Sequence, residues 1–258
     1  QREFIAARWF KIVDSKLELS IQGTLNNDGA GTSPQKTFTG NTYSNWTGGT
    51  SSIIGITYNY VGASTSSLSN NTFSNITGQG TVIAMNIGNT FAGATTLNVT
   101  SNTITNLTST GTVGAVTGIT CTNTSTTINI NNNAISTLAS AGASAVTGIS
   151  IWGATTTNVF KNRICDLSGS NASSSVNGIL VSAGTTINLS NNRIGDLRTP
   201  VANAANPLIG ISITGGTTVN TYFNTVYING ASSGALFGSS AISASSTTNL
   251  TLNNNIFV

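Results

Sequence analysis

One spacing constrains this chain more than any other. An asparagine, followed two positions later by an apolar or aromatic side chain, recurs at a nearly constant interval from Asn41 to Asn254. The asparagines are Asn41, Asn71, Asn102, Asn133, Asn162, Asn192, Asn224 and Asn254. The interval is roughly 30 residues throughout, within the range of repeats that stack into solenoids. The apolar followers are Tyr43, Phe73, Ile104, Ile135, Ile164, Ile194, Val226 and Ile256. Two further columns share the period. A small residue before Ile or Met gives Gly55-Ile56, Ala84-Met85, Gly118-Ile119, Gly148-Ile149, Gly178-Ile179, Gly210-Ile211 and Ala241-Ile242. A threonine pair gives Thr95-Thr96, Thr126-Thr127, Thr155-Thr156, Thr185-Thr186, Thr217-Thr218 and Thr247-Thr248.

The stretch Gly178 to Leu197 shows the unit most clearly. It holds three short apolar pieces, Ile179 with Val181, Ile187 with Leu189, and Ile194 with Leu197, each followed by small polar residues. The first two pieces alternate apolar and polar residues, the period of a strand with one buried face. No piece is long enough to bury itself, so the units must stack on one another. The chain therefore reads as an all-β parallel β-helix (solenoid) of about seven coils, each of roughly 30 residues and three strands. Stacking at about 4.8 Å per coil makes a rod roughly 35 Å long. The longer connections Ser168–Val176, Arg198–Pro207 and Ala231–Ser240 fall between a third strand and the next first strand, so all long loops are expected along one edge.

Residues 1–36 break the pattern. Strands are expected around Phe4–Val13 and Leu17–Thr24, followed by a leading loop at Asn26–Lys36, and seven of the fifteen charged residues lie in the first 18. This segment reads as an N-terminal cap on the solenoid of residues 37–258. The solenoid stops within a coil at Val258, so either the natural protein continues or another subunit covers that end. The first coils are the aromatic ones. Tyr43 and Phe73 are expected to pack inward, whereas Tyr58 and Tyr60 are not placed by the pattern.

Only 6% of the residues are charged, against about a quarter in an ordinary globular enzyme. The net charge of +3 includes no basic run, which speaks against nucleic-acid binding, and no apolar stretch reaches the length of a membrane span. Stacked asparagine amides suit coil-to-coil hydrogen bonding, which makes Asn71, Asn102, Asn133, Asn162, Asn192, Asn224 and Asn254 a structural ladder. Cys121 and Cys165 fall in different columns, so no disulfide is expected between them.

Catalytic groups are scarce. Histidine is absent, and the carboxylates are Glu3, Asp14, Glu18, Asp28, Asp166 and Asp196. Asp166 and Asp196 align one coil apart, as do Arg163 and Arg193, with Lys161 and Arg198 nearby. Some β-helix polysaccharide lyases combine an arginine base with acid-bound calcium, so this cluster is the catalytic candidate. A surface charge ladder of arginine against aspartate explains it more simply, and two carboxylates are thin for calcium. No metal and no cofactor is expected. The threonine pairs raise ice binding as a further reading. Adjacent side chains on a strand are expected to face opposite ways, however, which favours strand opening over a flat array. The Asn-x-Ser/Thr sequons, including Asn45, Asn75, Asn98, Asn106, Asn188 and Asn249, are expected from composition alone.

The pattern Gly-Ile-x-Ile, Gly-x-Thr-Thr-x-Asn, Asn-Asn-x-Ile resembles the right-handed parallel β-helix repeats of the pectate-lyase-like superfamily. NNRIGDLRTPVANAANPLIGISITGGTTVNTYFNTVYING and GALFGSSAISASSTTNLTLNNNIFV are similar to large secreted surface proteins of Bacteroidetes-type bacteria, commonly exported by the type IX system. The resemblance covers roughly Thr37 to Val258 and implies an extracellular, cell-surface location. The resulting expectation is a non-enzymatic stalk, adhesin segment or filament subunit, self-associating end to end or contacting surface glycans. A polysaccharide-binding or lyase-like β-helix is the alternative.

Overall fold

The computed structural model describes residues 21–27, 35–59, 65–88, 96–122, 127–247 and 249–258. The strand expected at Phe4–Val13, Tyr60, Thr95, Thr126 and Thr248 lie outside these. Among the described residues every strand joins one of three parallel sheets, each of eight strands, and there is no helix. Successive strands go to the first, second and third sheet in turn. One circuit is a rung, and eight rungs stack into about seven turns of a β-solenoid.

In rung 6 the three strands are Val176–Val181, Thr186–Ser190 and Arg193–Arg198. Each pairs in register with its equivalents in rungs 5 and 7, as in Ile149↔Ile179↔Ile211, Val159↔Leu189↔Thr221 and Ile164↔Ile194↔Val226. Equivalent side chains thus stack in columns along the axis. Ile119, Ile149, Ile179 and Ile211 of the first sheet, and Ile104, Ile135, Ile164 and Ile194 of the third, are buried against one another. The glycines of the first column exist for this packing. A Cβ on Gly148 would lie 2.7 Å from Ile164 Cγ2 and 2.6 Å from the Gly178 carbonyl oxygen.

The third piece of the repeat has its apolar residues three apart, and the structure supplies the reason. Asn45, Asn75, Asn106, Thr137, Asp166 and Asp196, midway along the third strand, all have left-handed φ between 52° and 61°. This residue bends the strand so that Ile164 and Leu167 both reach the core. Short Asn and Asp side chains tolerate this conformation best. A second left-handed column forms the two-residue corner between second and third sheets, with Asn70, Ser101, Asn132, Lys161, Asn191, Phe223 and Asn254 at φ 53° to 57°.

The residue after that corner is the ladder asparagine. From Asn71 to Asn224, each Oδ1 accepts the backbone N–H and a side-chain N–H from the asparagine of the preceding rung. Its Nδ2 reaches the next ladder Oδ1 and a main-chain carbonyl. For Asn162 these are Asn133 N and Nδ2 at 3.0 Å, Asn192 Oδ1 at 3.0 Å and Ile130 O at 2.9 Å. The ladder runs through Asn41, Asn71, Asn102, Asn133, Asn162, Asn192 and Asn224, and then to Asn255 rather than Asn254. Asn254 occupies the left-handed corner instead. The corner needs one left-handed residue before each ladder position, and in the run Asn253-Asn254-Asn255 only the third member has one before it in register. The inward apolar residue of rung 8 is accordingly Phe257, paired with Val226, and not Ile256.

Two further expectations are corrected. The solenoid starts before Thr37, because Ile21–Asn27 already pairs in parallel with Ile53–Asn59 as the first strand of the first sheet. That strand lacks the small-residue-plus-Ile signal, carrying Gly23-Thr24, so the column was invisible there. Among the described residues the long connections of rungs 6 and 7 (199–207 and 228–238) follow the third strand, on the expected edge. Adjacent threonines do not face opposite ways. Thr155, Thr185 and Thr217 are exposed in the turn, and Thr156, Thr186 and Thr218 lie on the outer strand face. The alternation starts only at the strand, and there the outer pattern is Thr-x-Asn.

At the N-terminal end Tyr43 stacks on Phe73 with centroids 4.8 Å apart, both buried. Tyr58 is also fully buried, edge-on to Phe38 and with Lys36 Nζ 5.6 Å from its ring. Cys121 and Cys165 are unbridged, one in the first sheet and one in the third.

Candidate functional site

After Lys36 the chain contains only six charged residues, Lys161, Arg163, Asp166, Arg193, Asp196 and Arg198. All six lie on the third sheet of rungs 5 and 6 or on the corner that leads into it. The rest of the described surface is rich in Ser, Thr, Asn and Gly with scattered exposed apolar side chains such as Trp152 and Phe223, so the charge after Lys36 is concentrated on one face of two neighbouring coils.

The parallel register sets the geometry. Arg163 opposes Arg193 at the start of the strand, and both are exposed. Asp166 and Asp196 follow in the left-handed column, where the bend turns them outward. The expected pairing of these aspartates with Arg163 and Arg193 does not occur. Instead Arg198, two residues beyond Asp196, reaches back one rung to Asp166 and approaches Asp196 Oδ1 at 3.3 Å. The other oxygen of Asp166 accepts from Thr137 Oγ1 at 2.8 Å. Arg163 and Arg193 lie upstream of the bend, on the flat part of the strand, and this separates them from the carboxylates. Among the described residues neither makes an ion pair.

Two neighbours complete the face. The column between the arginines and the bend is Ser136, Cys165, Gly195 and Tyr227. Gly195 leaves open ground there, and Tyr227 above it is 47% exposed. Beyond the bend, the third strand of rung 7 ends at Tyr227, whereas that of rung 5 runs to Gly169. The chain departs into the connection 228–238, and no strand of rung 7 continues the sheet above Leu197 and Arg198. The notch left behind is an open groove of about 400 Å³, lined by Ser168, Ser170, Asp196, Arg198, Asn229 and Gly230 among others.

Sequence reasoning also missed two polar ladders. On the outer face of the second sheet Asn98, Asn129, Asn158, Asn188 and Asn220 are joined Nδ2 to Oδ1 at 2.8 to 2.9 Å. In the bend column Asn45, Asn75 and Asn106 are joined likewise at 3.1 and 2.7 Å. Several of these asparagines were visible only as sequons, and their shared period was the signal that links them.

Three parallel sheets, stacked equivalent residues and internal asparagine ladders define the class as a parallel β-solenoid repeat protein. No protein-family model, no curated protein and no solved structure matches the chain.

Proposed function

We propose that this solenoid is a non-enzymatic extracellular structural element, a stalk or adhesin segment, whose charged face and flanking connections make its contacts. The observation that supports this most is the ladder from Asn41 to Asn255, which ties all eight rungs by side-chain hydrogen bonds, buried through the middle of the rod. Such a ladder, alongside three continuous sheets, resists bending and leaves few frayed segments for proteases. The sparsely charged exterior, rich in Ser, Thr and Asn, suits a surface that contacts outside material at chosen places only.

The test is location and shape in the source organism. Antibody labelling of intact cells, with a rod-like scattering profile for the purified chain, is the expected result. Labelling only after permeabilisation would overturn the reading. End-to-end self-association belongs to the same proposal, because stacked coils with parallel sheets can add a further coil by the same backbone pairing. Concentration-dependent sedimentation is expected, and a monomer at every concentration would remove that part.

The groove favours a second reading, a polysaccharide-active protein. Turnover of a polysaccharide that disappears in Asp196→Asn or Arg198→Gln would establish it in place of the first.

A further inference from the structure

We propose that the outer face of the third sheet, from rung 5 to rung 7, binds an acidic glycan, with Arg163 and Arg193 holding its carboxylate or sulfate groups, Tyr227 stacking on a sugar ring, and the Asp196–Arg198 groove receiving hydroxyls. This names the partner of the face described above and rests on the contact-making part of the proposed function.

Arg163 and Arg193 form an unbalanced pair. Like charges directly opposite in a ladder destabilise a sheet, and Arg163 opposes Arg193. Nothing in the described chain compensates them, because both nearby carboxylates are taken by Arg198. Lys161, exposed at the adjoining corner, adds a third cation. A chain that places all its charges after Lys36 on this face, and leaves three of its four cations there without a carboxylate, presents a site complementary to an anion. Guanidinium groups pair bidentately with carboxylate and sulfate oxygens, so two of them held about 4.8 Å apart by the rung spacing suit acidic groups along one chain.

The surroundings select a sugar. Gly195 opens the surface beside Arg193, and Tyr227 presents its ring on the next rung. An aromatic ring with a polar tip suits the mixed polar and apolar faces of a pyranose. The groove adds the hydroxyls of Ser168 and Ser170, the Asn229 amide and the Asp196 carboxylate, all suited to sugar hydroxyls. The face runs across two inter-strand spacings, about 10 Å, the size of a short oligosaccharide. A nucleic acid fits worse, since affinity there grows with many phosphate contacts along an extended basic track, and this face has three free cations and one exposed aromatic ring.

The experiment is calorimetric titration of the full chain at low salt with alginate oligosaccharides, dextran sulfate, neutral dextran and a single-stranded oligonucleotide. Parent protein should bind at least one acidic glycan and not dextran, and the preferred probe separates carboxylate from sulfate recognition. Arg163→Gln/Arg193→Gln should weaken binding at least tenfold, and Tyr227→Ala several-fold, with unchanged circular dichroism and, for the arginine variant, a melting temperature no lower than the parent's. Arg2→Gln/Arg8→Gln, which removes the same net charge from the first residues of the chain, should leave affinity unchanged. The proposal is overturned if no acidic glycan binds, if the Arg163/Arg193 variant binds like the parent, if the Arg2/Arg8 variant weakens binding equally, or if the oligonucleotide binds more tightly than the glycans. An intracellular location would end the surface reading and leave these titrations standing, whereas absent glycan binding would leave the location standing.

Discussion

Asn162→Ala is the most informative perturbation of the fold. Removing its amide takes away the acceptor of Asn133 N and Nδ2, both at 3.0 Å, and the donor to Ile130 O and Asn192 Oδ1 at 2.9 and 3.0 Å. Asn162 is 1% exposed, so water does not replace these partners. Asn133 Nδ2 keeps its bond to Val99 O, but the Asn133 backbone N–H loses its acceptor. At about 1–3 kcal/mol for each buried group left unsatisfied, the loss sums to about 3–5 kcal/mol. In a chain of this length that lowers the melting temperature by about 10 °C. Asn41→Ala is the internal control. Asn41 is exposed and its side chain donates to Asn71 Oδ1, so its loss should stay below about 1 kcal/mol. Thermal denaturation gives the magnitude, and hydrogen exchange should show new opening in rungs 4 to 6 and little elsewhere, because a solenoid couples nearest neighbours. If Asn162→Ala melts within about 1 °C of the parent, or no lower than Asn41→Ala, the ladder is not what holds the rungs together.

Other substitutions test single features. Thr157 occupies an inward position between Ile128 and Ile187, and its buried hydroxyl has no partner, so Thr157→Val should stabilise by about 1 kcal/mol in denaturant titration. Phe223 sits at a left-handed corner, φ 56°, that asparagine fills in four other rungs, and its ring is exposed. Phe223→Asn should raise stability by about 1 kcal/mol on melting. Gly178→Ala places a methyl 2.5 Å from Ile194 Cγ2 and should cost at least about 2 kcal/mol, with the damage mapped by exchange to rungs 5 to 7. Burial holds the Tyr43 phenol above its usual range, partly countered by its hydrogen bond to Thr24. The unfolded chain therefore loses this proton first. Stability from Tyr43 is complete below about pH 10 and falls as pH rises through the folded value, whereas Tyr43→Phe should melt with a flatter alkaline limb.

Much of the fold was legible because a solenoid repeats its contacts at a fixed sequence interval. Columns sharing that interval identified the stacked isoleucines, the ladder asparagines through Asn224 and the three strands per rung. Legibility failed where local composition was degenerate. Three consecutive asparagines at 253–255 offered equivalent candidates, and only the need for a left-handed residue before the ladder position chose Asn255. It failed again at Ile21–Asn27, where sheet membership depends on backbone pairing rather than on the Gly-Ile signal. The charged residues themselves were found, but their pairing was not, since a spacing of three along a strand carries no information about a bend at the residue in question.

The sequence alone determined the architecture, since short period-two apolar pieces recurring at one constant interval have no way to bury themselves except by stacking. It also determined which amides stack, because equivalent residues one rung apart are neighbours in any parallel solenoid. The tertiary structure decided what the surface offers. The left-handed bend at Asp166 and Asp196 carries the aspartates away from Arg163 and Arg193 and toward Arg198, and the early end of the third strand at Tyr227 opens the groove. Both depend on where the backbone turns in three dimensions, and a one-dimensional period does not encode that.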